Sequence, residues 1–166
     1  MDRLYAPWRT EYITQNNKKI DGCVFCYIAN SSNDEDEELG ILYRGDDFFI
    51  VMNKYPYSPG HFMIIPNKHE QNLEDLNSDT FTKISLFAQK GVKILKEVLN
   101  AQGVNVGLNL HKAAGAGIED HIHMHLIPRW IGDTNFITTI GETRIYGTDH
   151  KKLYKKLKNA SQNYFR

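Results

Sequence analysis

The chain has 166 residues, enough for one domain that buries about two-thirds of its unfolded surface. Hydrophobic residues make up 41 % and charged residues 24 %, ordinary values for a soluble globular protein. Twenty basic residues balance twenty acidic ones, and this zero net charge argues against non-specific binding to nucleic acid or to an anionic membrane.

No stretch reaches the roughly 18 apolar residues of a membrane span, and Met1–Trp8 has no signal-peptide core. A cytoplasmic protein is expected. Residues 1–20 are polar and aromatic without periodicity; they read as an arm whose Tyr5, Trp8 and Tyr12 pack on the body or on a partner. Residues 21–166 read as a single domain. Its start holds the only two cysteines, Cys23 and Cys26, in a C-x-x-C pair. In a reducing compartment this spacing suggests a metal half-site or a redox pair, against the plainer reading of two free buried thiols.

Asn30–Glu38 is an acidic, polar run, read as a solvated and mobile loop. Two strands follow, Ile41–Tyr43 and Phe48–Met52, around the turn signal Gly45-Asp46-Asp47. After the loop Lys54–Gly60, His61–Ile65 forms a short apolar strand closed by Pro66. Ser78 is the predicted N-cap of a long helix with Phe81, Ile84, Ala88, Val92, Leu95 and Leu99 on one buried stripe. Val104–Leu110 is a further strand. A small-residue loop, Ala113–Gly117, leads to a strand from His121 to Ile127, stopped by Pro128. Leu153, Leu157, Ala160 and Tyr164 mark a C-terminal helix with a lysine-rich outer face. The order of elements predicts an α+β fold, an antiparallel sheet with a long packed helix and a C-terminal helix on it.

In the stretch His121-Ile122-His123-Met124-His125 the strand period of two puts the three histidines on one face and Ile122, Met124 and Leu126 on the other, toward the core. Successive imidazoles are then spaced about 6.6 Å along the backbone. A single buried histidine is usually a hydrogen-bonded core residue; three on one face form a polar row that core packing does not explain. Two readings remain: a three-histidine metal site, or an anion site with a nucleophilic or acid–base imidazole. The Gly/Ala loop favours the anion, since small residues let backbone N–H groups approach a phosphate. For a tetrahedral site completing Cys23 and Cys26, His69 and His121 are candidates.

The run His121–Arg129 matches the H-x-H-x-H pattern, and the chain resembles the histidine-triad (HIT) superfamily along nearly its whole length. Residues 2–12 and Trp130–Phe136 are similar to the bacterial branch of diadenosine tetraphosphate phosphorylases. The resemblance implies a HIT-like fold, usually dimeric, and cleavage of a nucleotide or dinucleoside polyphosphate at the α-phosphate through a nucleotidyl-histidine. Carried over by position, His123 is the nucleophile, and His125 and His61 bind phosphate oxygens, as protonated imidazoles that stabilise developing charge. Ala116 and Gly117 are further phosphate-binding positions. Asn53 and Asn109 contact the nucleotide, whose adenosine Phe25, Ile28, Phe49 and Val51 line. Cys23, Cys26, His69 and His121 resemble the ligands of a structural zinc ion.

One departure matters. Where other branches place Gln followed by Ser or Thr before the first triad histidine, this chain has Gly117 and Ile118. That resembles the branch in which inorganic phosphate, rather than water, takes the nucleotidyl group. Competing functions are a nucleoside phosphoramidase using the same His123, and a nucleotide-binding interaction protein with little catalysis. His111 and His150 are read as solvated surface residues.

Overall fold

The computed structural model describes residues 20–143 and 146–166. The arm predicted for residues 1–20 lies outside them, apart from Ile20. The secondary structure runs α1 (Val24–Asn30), α2 (Asp36–Leu39), β1 (Ile41–Arg44), β2 (Phe48–Met52), β3 (Phe62–Pro66), α3 (Ser78–Leu99), β4 (Gly103–Leu108), β5 (Met124–Arg129), α4 (Phe136–Thr139) and α5 (His150–Tyr164). The strands form one sheet in the order β1-β2-β3-β5-β4, antiparallel at every junction, so the α+β expectation holds.

The sheet is buried on both faces, and strand parity divides its side chains between two cores. Phe48, Ile50, Met52, Phe62, Ile64, Met124 and Leu126 join α3 and α5 in the larger cluster. Phe49, Val51, Met63 and Ile65 join Phe25 of α1 and Ile41 in the smaller one on the opposite face. A bulge between Ile41 and Tyr43 in β1 turns Leu42 and Tyr43 both toward the larger core.

Helix α3 begins one residue earlier than the sequence suggests. Its cap is Asn77, not Ser78: the Asn77 side chain accepts from the backbone N–H groups of Asp79 and Thr80 at 2.9 and 3.1 Å. The buried stripe is Ile84, Ala88, Gly91, Ile94 and Leu95, with Phe81 exposed. Gly91 sits at the closest approach of this stripe to the sheet. A Cβ there would lie 2.7 Å from Leu126 Cδ2 and 3.0 Å from Phe62 Cζ, so a bare Cα lets the helix press directly on β3 and β5.

Helix α5 guards the β1 edge. Tyr154 Oη and Lys158 Nζ donate to the Ile41 carbonyl, and Ser161 Oγ donates to that of Leu42. The acidic run is not a free loop: Asn33–Glu35 is a 3-10 turn that leads into α2, and Asp36 accepts from Arg44 Nε at 2.8 Å and Lys158 Nζ at 3.0 Å. Two cations against one carboxylate explain why a charge run predicted as solvated is ordered.

Strand β5 starts later and ends later than predicted. His121–His123 precede it, and Pro128 lies inside it, paired with Val104 of β4. Among the described residues, no helix is long and apolar enough to cross a membrane.

Candidate active site

The chain entering β5 carries His121, His123 and His125 on the face of the smaller core, while Ile122, Met124 and Leu126 fill the larger one. All three imidazoles are buried. Each has one ring nitrogen fixed by the fold, and the fixed nitrogen decides what the other can do.

His121 Nε2 donates to the Pro66 carbonyl at 3.0 Å, which leaves Nδ1 as a lone pair. That atom faces Cys23 Sγ at 3.3 Å and Cys26 Sγ at 3.7 Å, and Cys26 Sγ is 3.2 Å from His69 Nδ1. The four ligand atoms of Cys23, Cys26, His69 and His121 all lie within 4.8 Å of one another. For metal bonds of 2.3 Å to sulfur and 2.0–2.1 Å to nitrogen, a tetrahedron has S···N edges of about 3.6 Å. The donor set therefore fits one tetrahedral ion, with the Pro66 carbonyl as the outer partner that orients the imidazole. The N-cap and first turn of helix α1 supply the two thiols and aim Phe25, between them, at the rings of His121 and His123, 5.6 and 5.2 Å away. Burial, followed by the adjoining Cys23, pushes the Cys26 thiol up.

His123 Nδ1 donates to the carbonyl of His121 at 2.8 Å, and Nε2 keeps its lone pair. Burial lowers the affinity of this ring for a second proton, opposed in part by that hydrogen bond.

His125 is fixed through a relay. The backbone N–H of Tyr57 donates to His61 Nδ1 at 3.2 Å, so the proton of His61 sits on Nε2. His61 Nε2 then donates to His125 Nδ1 at 2.9 Å, and His125 carries its own proton on Nε2. That Nε2 is the one buried side-chain N or O atom without a partner among the described residues. A donor buried without an acceptor is costly, and an anionic oxygen would satisfy it.

Burial, then the neighbouring imidazoles, holds His61 down to about 3, and burial with His123 beside it holds His125 down to about 4. This corrects the expectation of protonated imidazoles. Both rings are neutral near pH 7 and act as N–H donors. It also moves His61: fully buried with Nε2 engaged, it stands behind His125 and not on the open side of the site.

Two further positions named from the sequence take part in internal hydrogen bonds. The Ala116 N–H donates to the His111 carbonyl at 3.3 Å, so it is not held out for phosphate. Asn53 Oδ1 accepts from the Tyr55 N–H at 2.9 Å, and Nδ2 lies 3.3 Å from His61 Nδ1, so this side chain shapes the loop that carries Tyr57. Gly117 has open space where a Cβ would stand, and Ile118 packs against the smaller core. Phe25, Phe49 and Val51 are buried on the triad face with Ile28 packed beside them. Asn109 is half-buried just beyond β4.

His150 is half-buried, its Nδ1 3.4 Å from the Tyr146 hydroxyl, rather than solvated. His111 is exposed as read, with an unusual backbone at φ 61° and ψ 173°. The Pro66 carbonyl and the Tyr57 N–H are invisible in the sequence, because main-chain atoms leave no mark on residue type.

A HIT domain model matches residues 35–130. The chain is 37 % identical over 149 residues to the AP-4-A phosphorylase of Mycobacterium tuberculosis, covering 87 % of this chain and 76 % of that protein. It is 33 % identical over 89 residues to the bis(5'-adenosyl)-triphosphatase of Dictyostelium discoideum, 54 % of this chain and 59 % of that one. The structure is similar to that of a zinc-bound histidine triad family protein from Mycobacterium smegmatis, with a TM-score of 0.69 and 28 % identity, over 86 % of this chain and 94 % of that chain.

Proposed function

Since the chain belongs to the HIT domain family, we propose that it is a nucleotidyl transferase that cleaves dinucleoside polyphosphates, diadenosine tetraphosphate foremost, through a nucleotidyl adduct on His123. The observation that carries this reading is the pairing of two imidazoles in opposite states. His123 Nε2 is a bare lone pair, and His125 Nε2 is a bare N–H, on rings 4.8 Å apart.

His123 Nε2 attacks the α-phosphorus, the N–P bond forms, and the bond from phosphorus to the bridging oxygen breaks. The leaving group departs as ATP. The Nδ1 proton stays on the ring throughout, so the adduct is an imidazolium whose charge the His121 carbonyl stabilises. His125 Nε2–H donates to a non-bridging phosphate oxygen and stabilises charge as it develops. His61 is a positioning residue, holding His125 in the donor tautomer. In the second step a phosphate oxygen attacks phosphorus, the N–P bond breaks, and ADP leaves with His123 neutral again. The AP-4-A phosphorylase relative and the small Gly117 support phosphate over water as acceptor.

Zinc is the proposed ion for Cys23, Cys26, His69 and His121, supported by the mixed thiol and imidazole donors and by the zinc-bound relative. It would fix the carbonyl of His121 that orients the nucleophile. Adenosine is proposed to lie toward Phe25 and Ile28, beyond which Phe49 and Val51 are core, with Asn53 and Asn109 at its sugar. The enzyme is proposed to be a cytoplasmic homodimer; the β4 edge, unpaired among the described residues and with exposed Asn105, Val106 and Gly107, supports pairing of copies.

Quenched-flow reaction with diadenosine tetraphosphate labelled at both α-phosphates tests the reading. An acid-labile adduct should form on the wild type and vanish in His123→Ala. Phosphate should turn the products from AMP plus ATP into ADP plus ATP. Undiminished turnover by His123→Ala would refute the covalent route.

A further inference from the structure

His111 holds a backbone conformation that the side chain ought to forbid. At φ 61° and ψ 173° it lies in a region occupied almost solely by glycine. The other two non-glycine residues with positive φ whose backbone is described, Asn100 and Glu142, have φ of 53° and 46° and neither lies in the Leu110–Asp120 loop. Strain of this kind persists where surrounding structure imposes it, and it gathers at ligand-binding sites.

The surroundings impose it here. The His111 carbonyl accepts from the N–H groups of Ala114 and Ala116, closing the loop into a compact turn. The ring is aimed by Gln71, whose amide lies 3.4 Å from Nδ1, so Nε2 carries the proton, and the residue is exposed. Gln71 follows Glu70, whose carbonyl accepts the Ile122 N–H at 2.8 Å, which ties this corner to the triad. The β4–β5 register makes the same connection from the other side. Its last rung pairs Leu108 with Met124, so the chain leaves β4 just before Asn109 and enters β5 just after His123. Exposed Lys112 follows, and Gly115 and Gly117 leave open space where their side chains would stand. A strained imidazole, a lysine and bare glycines thus share the loop that joins β4 to the triad segment.

We propose that His111, with Lys112, grips the leaving polyphosphate of the substrate, its Nε2–H donating to an oxygen beyond the α-phosphate. This rests on the reaction proposed above. It assigns His111 to the departing half of the molecule, a role distinct from that of His125 at the α-phosphate. It also accounts for the conformation: a glycine would relax the backbone and lose the donor.

The test compares wild type with His111→Gly and His111→Ala. Glycine removes the ring and the strain; alanine removes the ring and keeps the strain. Inorganic tripolyphosphate is titrated calorimetrically into each, and both variants should bind it at least fivefold more weakly than wild type. On diadenosine tetraphosphate both should lose at least five times more kcat/KM than on an adenosine 5′-phosphoramidate, which has no leaving phosphates. His111→Gly should melt about 2–4 °C above His111→Ala. Wild-type affinity for tripolyphosphate in both variants would overturn the proposal, whether or not the protein turns over any dinucleotide. Absence of tetraphosphate cleavage by the wild type would instead refute the proposed reaction, and the tripolyphosphate titration would still decide the role of His111.

Discussion

Gly107 stands directly across from His125 on the neighbouring strand, and none of the described residues lies within 4 Å of the place where its Cβ would be. Residues opposite each other in an antiparallel pair share a face, with Cβ atoms about 4.5–5.5 Å apart. The missing side chain therefore leaves a gap beside the donor of His125. Gly107→Val should fill it. Because glycine is a poor strand residue, melting temperature should hold or rise, while kcat/KM on diadenosine tetraphosphate falls about tenfold or more. Equal activity in the two proteins would show that substrate does not use the gap.

The neutral pair His61 and His125 ties stability to pH. Folded, these rings resist protonation down to about 3 and about 4; unfolded, each takes a proton near 6.5. Between roughly pH 4 and 6.5 the unfolded chain holds more protons, so stability is lost as pH falls through that window, at up to about 1.4 kcal/mol per pH unit for each ring. His61→Gln removes one titrating ring and retains an amide donor for His125 Nδ1. Its melting temperature should fall less steeply than that of wild type from pH 6.5 to 4. Parallel curves would contradict neutral burial of His61.

Metal removal should cost both stability and turnover. His121 contributes Nδ1 to the four-ligand cluster and its carbonyl to the nucleophile at 2.8 Å. Elemental analysis should give one zinc per chain, and a strong chelator should lower the melting temperature and slow adduct formation together. Cys23→Ser should reproduce both effects. Loss of metal with unchanged adduct formation would separate the cluster from the chemistry.

Gly60 sets the position of His61. Its φ is +84°, and a Cβ there would fall 2.3 Å from Leu99 Cδ1 and 3.6 Å from Pro128 Cγ. Gly60→Ala combines backbone strain with overpacking at the end of α3, at a cost of about 1–3 kcal/mol. At this chain length each kcal/mol lowers the melting temperature by about 2–4 °C. Thermal unfolding measures it, and a drop below 2 °C would mean that Leu99 moves aside freely.

The division of the histidines from Ile122, Met124 and Leu126 was legible because strand parity depends only on sequence spacing. The cysteine pair was legible as a metal half-site, but neither partner could be read from spacing, since His69 and His121 arrive from distant turns. The alternation of β2 and β3 was hidden by their unbroken apolar runs, which reflect two buried faces. Pro128 was misread as a stop because a proline ends a strand only where its N–H is needed. Proton placement on His61 and His125 was illegible, being fixed by the Tyr57 main chain. The order of the acidic run depends on Arg44 and Lys158, the second of them 122 residues from Asp36.

The position of β5 between β3 and β4 has a consequence for how the molecule comes into being. As the chain leaves the ribosome, β1, β2 and β3 can zip together as a meander, but β4 emerges with no neighbour to receive it. Only when Met124–Arg129 appears can both waiting edges be joined, in one insertion that spans more than sixty residues of loop closure from Phe62 to Leu126. Until that moment the nascent protein displays the inner edges of β3 and β4 unpaired, the kind of surface on which chains aggregate. The segment that brings the nucleophile is thus also the one that closes the gap between β3 and β4, while the edge of β1 waits for α5.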